Sequence, residues 1–208
     1  MLNNDNIRKA RIAALVSGGG TNLEALLRAQ ERGEIASGEI VLVIADNHKA
    51  YALERAKNHG VTAAVISRKG RPGTEFETEL VQYLRENQID IIILAGFLGI
   101  LSADFVSKWP DKILNIHPSL IPSFCGKGYY GLKVHEAALA RGVKITGATV
   151  HIVNEIPDGG RILLQKAVEV LPDDTPERLQ RRVMEQAEWI LLPKAAEMIC
   201  REFVNAEE

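Results

Sequence analysis

Ile12-Ala13-Ala14-Leu15-Val16-Ser17-Gly18-Gly19-Gly20-Thr21-Asn22-Leu23 is the stretch from which the fold is read. Its apolar run is short and ends in glycines, which predicts a buried strand rather than a helix. Thr21-Asn22 then opens a helical pattern in which Leu23, Leu26 and Leu27 share a face. A strand passing into a helix through a glycine turn is the start of a βαβ unit.

The alternation continues outward from there. Residues 39–45 (EIVLVIA), 61–66 and 89–95 predict further apolar strands. Residues 50–58 and 73–87 predict helices, the second carrying Phe76, Leu80, Tyr83 and Leu84 on one side. Strands that are apolar throughout and separated by helices indicate a parallel sheet covered on both faces, with right-handed crossovers. After residue 101 the texture changes. Ser102 caps a short helix over 102–109, and 113–117 is a strand stopped by Pro118. A long loop through Pro122, Cys125, Gly126, Gly128 and Gly131 has no periodicity, and such length points to function. A helix over 132–141 precedes strands at 145–153 and 161–170, which read as antiparallel neighbours flanking 154–160. Thr175 caps an amphipathic helix running towards Phe203 with a bend at Pro193. The expected fold is α/β: a mostly parallel, doubly wound sheet, Rossmann-like in its N-terminal half, with an antiparallel C-terminal extension. No repeat or linker divides the chain, so 1–208 is taken as a single domain, 1–110 forming the nucleotide-binding half.

Composition narrows the function classes. Of 208 residues, 46% are hydrophobic and 25% charged, an ordinary globular balance that excludes disorder as the main state. Lys and Arg number 25 against 27 Asp and Glu, so the net charge of −2 supplies no basic field for nucleic acid. Only local anion binding stays open. Cys125 and Cys200 form no C-x-x-C pair, which argues against a disulfide framework and a zinc site, and no metal is expected. Residues 1–5 lack the layout of a signal peptide, and the apolar run 91–101 is far short of the ~20 residues that span a bilayer. A cytoplasmic chain with no membrane partner is expected.

Three stretches could carry chemistry. Gly18-Gly19-Gly20 before Thr21-Asn22 lets backbone N–H groups approach an anion at a helix N-terminus, although a plain βα turn uses the same residues. It lacks the lysine of a P-loop and full G-x-G-x-x-G spacing, with Asp46 only a weak ribose candidate. In 113–117, Asn115 and His117 fall on one face of a strand, placing an amide donor beside an imidazole. An oxyanion binder next to a proton donor suits acyl or formyl transfer, while a satisfied core histidine is the bland reading. Asp158-Gly159-Gly160 is a tight turn that would have to fold back on His117 to matter. His135 is expected on an exposed helix face, His48 and His59 at the surface, and His151 in a structural or supporting role. Cys125 is a minor candidate nucleophile.

Ala14 to Leu23, Leu94-Ala95-Gly96-Phe97-Leu98, Asn115-Ile116-His117-Pro118-Ser119-Leu120-Ile121-Pro122 and Asp158-Gly159-Gly160 together resemble the phosphoribosylglycinamide formyltransferases, in the right order along almost the whole chain. The motif Asn-x-His-Pro-Ser-Leu-x-Pro is shared across folate formyl-transfer enzymes, and the N-terminal glycine loop selects this branch. The resemblance implies transfer of the formyl group of 10-formyltetrahydrofolate, a co-substrate, to the primary amine of glycinamide ribonucleotide in purine synthesis. It implies that Gly19, Gly20, Thr21 and Asn22 hold the phosphate and Glu188 the ribose. Leu98, Gly99, Ile100 and Leu101 would border the folate, Asn115 would bind the formyl oxygen, and His117 would act with Asp158 beside it. Residues 111–208 would then be the catalytic and folate-binding half, in a monomer or homodimer. Gly99 stands where the family often has arginine, Lys133 where histidine is common and Arg161 where proline is usual. Residues 124–130 form a longer loop than in the shorter members, and Arg68 and Arg71 both compete for one family arginine. The alternatives are formyltetrahydrofolate hydrolase or another folate-dependent formyltransferase. Methionyl-tRNA formyltransferase carries a further tRNA-binding domain, and a non-enzymatic nucleotide-binding module would not need Asn115, His117 and Asp158 together.

Overall fold

A computed structural model describes residues 8–207, so the reading of residues 1–5 lies outside the described residues. The strands are β1 (Ala10–Val16), β2 (Gly38–Ala45), β3 (Thr62–Val65), β4 (Ile91–Leu94), β5 (Ile113–His117), β6 (Ile145–Ile152) and β7 (Ile162–Glu169). The helices are α1 (Thr21–Glu31), α2 (Ala52–Asn58), α3 (Gly73–Glu86), α4 (Ala103–Val106), α5 (Leu132–Arg141), α6 (Pro176–Val183) and α7 (Trp189–Glu207). The strands form one seven-stranded sheet in the order β3-β2-β1-β4-β5-β6-β7. Pairs from β3 through β5 are parallel, whereas β5–β6 and β6–β7 are antiparallel. The mixed sheet is the one expected, and β5, assigned to the C-terminal half, pairs directly with β4 of the other.

Period-two alternation divides the strand residues between two cores. In β1, Ile12, Ala14 and Val16 pack on one face with Leu23 and Leu26 of α1 and Leu192 and Ala196 of α7. Ala13 and Leu15 pack on the other with Phe76, Leu80 and Leu84 of α3 and Phe105 of α4. Both faces are covered, so the strands are apolar throughout. In β5, Leu114 and Ile116 belong to the first core, which turns Asn115 and His117 to the opposite face. There His117 meets the Phe124 carbonyl and the Asp158 carboxylate, both in loops. None of the helices among the described residues is long and apolar enough to cross a membrane.

The C-terminal helix departs from the expected single bent run. Thr175 caps α6, accepting from Arg178 N–H, but a π-helical turn over Met184–Glu188 separates α6 from α7. Pro193 lies inside α7. Proline has no N–H for the carbonyl four residues back and its ring crowds that turn, so the wider spiral immediately upstream absorbs the mismatch. Glu188 sits in this widened turn and is buried.

Candidate active site

Cross-strand register brings the polar cluster together. Asn115 pairs with His151 across β5–β6, so both stand on the face that carries His117. His117 Nε2 lies 2.8 Å from the Phe124 carbonyl, which can only accept, so Nε2 carries a proton. The exchangeable position is therefore Nδ1, which faces Asp158 Oδ2 at 3.6 Å. His151 Nδ1 donates in the same way to the Ile152 carbonyl at 2.9 Å. Its Nε2 is 3.1 Å from Asn115 Nδ2 and 3.5 Å from Asp158 Oδ1. Nε2 accepts one Asn115 amide N–H when it is unprotonated and donates to Asp158 when it is protonated, and the other Asn115 amide N–H has no partner among the described residues.

Asp158 reaches this face because its loop folds back very tightly. A Cβ at Gly160 would lie 1.8 Å from the Ile152 carbonyl oxygen, and one at Gly159 would lie 2.7 Å from Ile156. Glycine is thus required at both places. The Asp158 carboxylate accepts the Gly126 N–H at 2.7 Å, which ties the 154–160 turn to the long loop. Burial alone would raise its pKa, but the His151 ring, the His117 charge and the Gly126 N–H together outweigh that and hold it below the usual range. Phe124 (φ 49°) and Asp158 (φ 56°), the two residues that meet His117, both adopt left-handed backbone. Such conformations concentrate where a site over-determines its geometry. Thr149 clamps the intervening turn, donating to the Ser119 carbonyl at 2.7 Å and accepting from Ile121 N–H at 3.1 Å.

The glycine loop forms a second centre. Gly20, at φ +72°, precedes α1, and no side chain among the described residues caps this helix. Asn22 was expected to offer its amide to a phosphate. Its side chain is instead buried and donates to Glu188 Oε2 at 2.7 Å, leaving the backbone N–H groups as the loop's donors. Burial pushes the Glu188 pKa up to about 7, against the opposing effect of that Asn22 bond. Thr21 Oγ1 lies 3.7 Å from the Met184 sulfur.

Comparison with known proteins decides the family. Residues 10–195 match the family model described as formyl transferase. The chain belongs to the formyl transferase family. It is 38% identical over 203 residues to the chloroplastic phosphoribosylglycinamide formyltransferase of Arabidopsis thaliana, covering 97% of this chain and 69% of that one. It is 42% identical over 202 residues to the human trifunctional purine biosynthetic protein adenosine-3, covering 97% of this chain but 19% of that protein. Among solved structures, glycinamide ribonucleotide transformylase 1 from Symbiobacterium toebii aligns with TM-score 0.87 and 39% identity over 93% of this chain and 89% of that one.

In this formyl transferase the residues after β4 are exposed and apolar, Leu98 at 63% and Ile100 at 67%, whereas Leu101 is buried. Ser17 joins them to the glycine loop, donating to Asp46 and accepting the Leu98 N–H, each at 2.9 Å. Asp46 is thereby occupied as an acceptor rather than standing free for a ribose. A Cβ at Gly99 would lie 2.3 Å from Arg68 Nη1, so the Arg68 guanidinium fills the space a side chain at 99 would take. Arg71 is paired with Glu79, while Arg68 has no carboxylate partner among the described residues. Arg68, Lys69 and Arg71 border a cleft of about 350 Å³ with Asp46 and Phe76, beside the glycine loop rather than over His117.

One histidine expectation is corrected. His135 is fully buried, because α5 turns it with Val134 and Ala138 toward the interior. His59, expected at the surface, lies partly exposed between Glu31 (2.6 Å) and Glu24 (3.4 Å). His151, expected in a structural or supporting role, contacts both Asn115 and Asp158. Cys125 is disfavoured as a nucleophile: burial and the nearby Asp158 charge push its pKa up, opposite to what a thiolate needs.

Proposed function

We propose that this chain transfers the formyl group of 10-formyltetrahydrofolate to the primary amine of glycinamide ribonucleotide. The observation that carries the reading is the convergence of Asn115, His117 and Asp158 at one sheet face, in a formyl transferase whose glycine loop presents N–H groups with no partner among the described residues. The exposed Leu98 and Ile100 suit a flat heterocycle, which would cover apolar surface now facing water.

The chemistry follows from charge. As the amine attacks the formyl carbon a C–N bond forms, the oxygen becomes negative and the nitrogen positive. Asn115 donates its free N–H to that oxygen, and His117 in its charged form adds a second positive centre. The intermediate then expels the folate nitrogen, which needs the proton that the attacking nitrogen must lose. His117 Nδ1, backed by the Asp158 carboxylate, is the position through which this proton is held and passed. Gly19, Gly20, Thr21 and Asn22 hold the phosphate through backbone N–H groups, and Glu188 receives a ribose hydroxyl. Arg68 offers its free donors to a carboxylate of the folate.

Incubation with 10-formyltetrahydrofolate, with and without glycinamide ribonucleotide, tests the reading. Turnover that requires the ribonucleotide and yields its formyl amide is expected. Release of formate without it would replace transfer by hydrolysis.

A further inference from the structure

The glycine loop is shaped from behind by α2. Ala52 N–H donates to the Gly18 carbonyl at 3.2 Å, and Arg55 Nε donates to the Gly19 carbonyl at 2.8 Å. A trans peptide is planar, with its N–H opposite its C=O. Two successive carbonyls turned towards α2 therefore point the N–H groups of Gly19 and Gly20 the other way. Neither N–H has a hydrogen-bond partner among the described residues. Successive N–H groups facing one side, followed by a helix N-terminus, make a concave anion site. The fit against α2 leaves no room for a side chain, since a Cβ at Gly20 would lie 2.7 Å from that of Ala52.

Arg55 is itself fixed at both ends. Its Nη1 donates to Glu24 Oε2 at 2.9 Å, and its guanidinium lies 5.2 Å over the Tyr51 ring. Glu24 stands in the first turn of α1, so one side chain links α2, the loop and the helix that faces the anion. Glu24 neutralises much of the Arg55 charge in this part-buried pair. What the arginine does that another cation would not is hold the Gly19 carbonyl and the Glu24 carboxylate at once through two edges of one planar guanidinium.

We infer that Arg55 is a positioning residue for the phosphate: it turns the Gly19–Gly20 peptide so that an N–H meets the anion. Without it the peptide can rotate and offer a carbonyl oxygen, exchanging attraction for repulsion. The inference rests on the phosphate-loop reading proposed above.

The test compares glycinamide ribonucleotide with the same molecule bearing a free 5′-hydroxyl, by calorimetric titration. Wild type is expected to prefer the phosphorylated form strongly. Arg55→Met should weaken that form about tenfold or more while leaving the dephosphorylated form and the folate KM unchanged. Arg55→Lys, with charge but no fork to hold Glu24 and Gly19 together, should recover only part. Inorganic phosphate titrated into ¹⁵N-labelled protein should shift the Gly20 amide in wild type and much less in Arg55→Met. If Arg55→Met fails to fold, Arg55→Lys carries the same comparisons.

Equal losses for both ligands would reduce Arg55 to a structural residue and overturn the inference. Full recovery by lysine would overturn it in favour of charge alone. Unchanged discrimination in Arg55→Met would overturn it while sparing the phosphate loop. A wild type that does not discriminate would remove the loop reading itself.

Discussion

Asn22 and Glu188, 166 residues apart in the chain, meet in a hydrogen bond of 2.7 Å that is buried in the protein. The bond joins the first turn of α1 to the π-helical turn before α7. It also couples the proposed ribonucleotide site to pH. Glu188 titrates near 7 in the folded chain against an ordinary value of 4.5, because burial disfavours its charge. Between those values the folded state binds more protons than the unfolded state, so stability falls as pH rises through the window. Urea unfolding at pH 5 and pH 8 should reveal this as a loss in wild type relative to Glu188→Gln, amounting to a few kcal/mol at most. A constant difference between the two proteins would show that Glu188 ionises normally.

His135 has the opposite sign. Burial, and secondarily the charge of His117, lowers its pKa from 6.5 to about 4. The unfolded chain then binds the extra proton, and stability is lost as pH falls from about 6.5 towards 4. Neither ring nitrogen has a partner among the described residues, so His135→Leu should fold well at neutral pH and unfold at lower pH than wild type. Coincident acid transitions would refute the assignment.

The Asn115, His117 and Asp158 cluster makes a kinetic prediction. Asn115→Ala should cost roughly 10²–10³ in kcat, the scale of a lost oxyanion donor, with substrate KM values changed far less. His117→Ala and Asp158→Asn should each cut turnover, and the double variant should lose much less than the product of the two. Strictly multiplicative losses in correctly folded variants would mean that the 3.6 Å approach of His117 Nδ1 to Asp158 has no functional weight.

Gly99 and Arg68 should also behave as a pair. A methyl group at 99 would meet the Arg68 guanidinium at 2.3 Å, and the flexible arginine can swing away, so Gly99→Ala should hardly alter stability. Folate KM should rise several-fold in Gly99→Ala and in Arg68→Ala, and the two changes should not add. Additive effects in steady-state kinetics would separate them.

Much of this architecture is legible without coordinates. Runs such as 12–16 and 39–45 are apolar on both faces, and only a sheet covered on both sides buries them, so the doubly wound core follows from local pattern. Asn115 and His117 share a face through the two-residue repeat of a strand, and Gly159-Gly160 marks a tight return. The register that sets His151 opposite Asn115 is a property of two strands rather than one, and no spacing within either encodes it. The same limit hid the interior placement of His135, since one helix does not state which face its neighbours will cover. The widened turn that carries Glu188 to Asn22 depends on how α6 and α7 jointly meet α1 and the sheet, and proline alone marks only that some irregularity must occur. Sequence determined the elements and the chemical groups available, because these depend on local backbone and side-chain preferences. Tertiary structure decided which groups meet and which are shielded from water, because packing sets distance and burial, and these set the electrostatics.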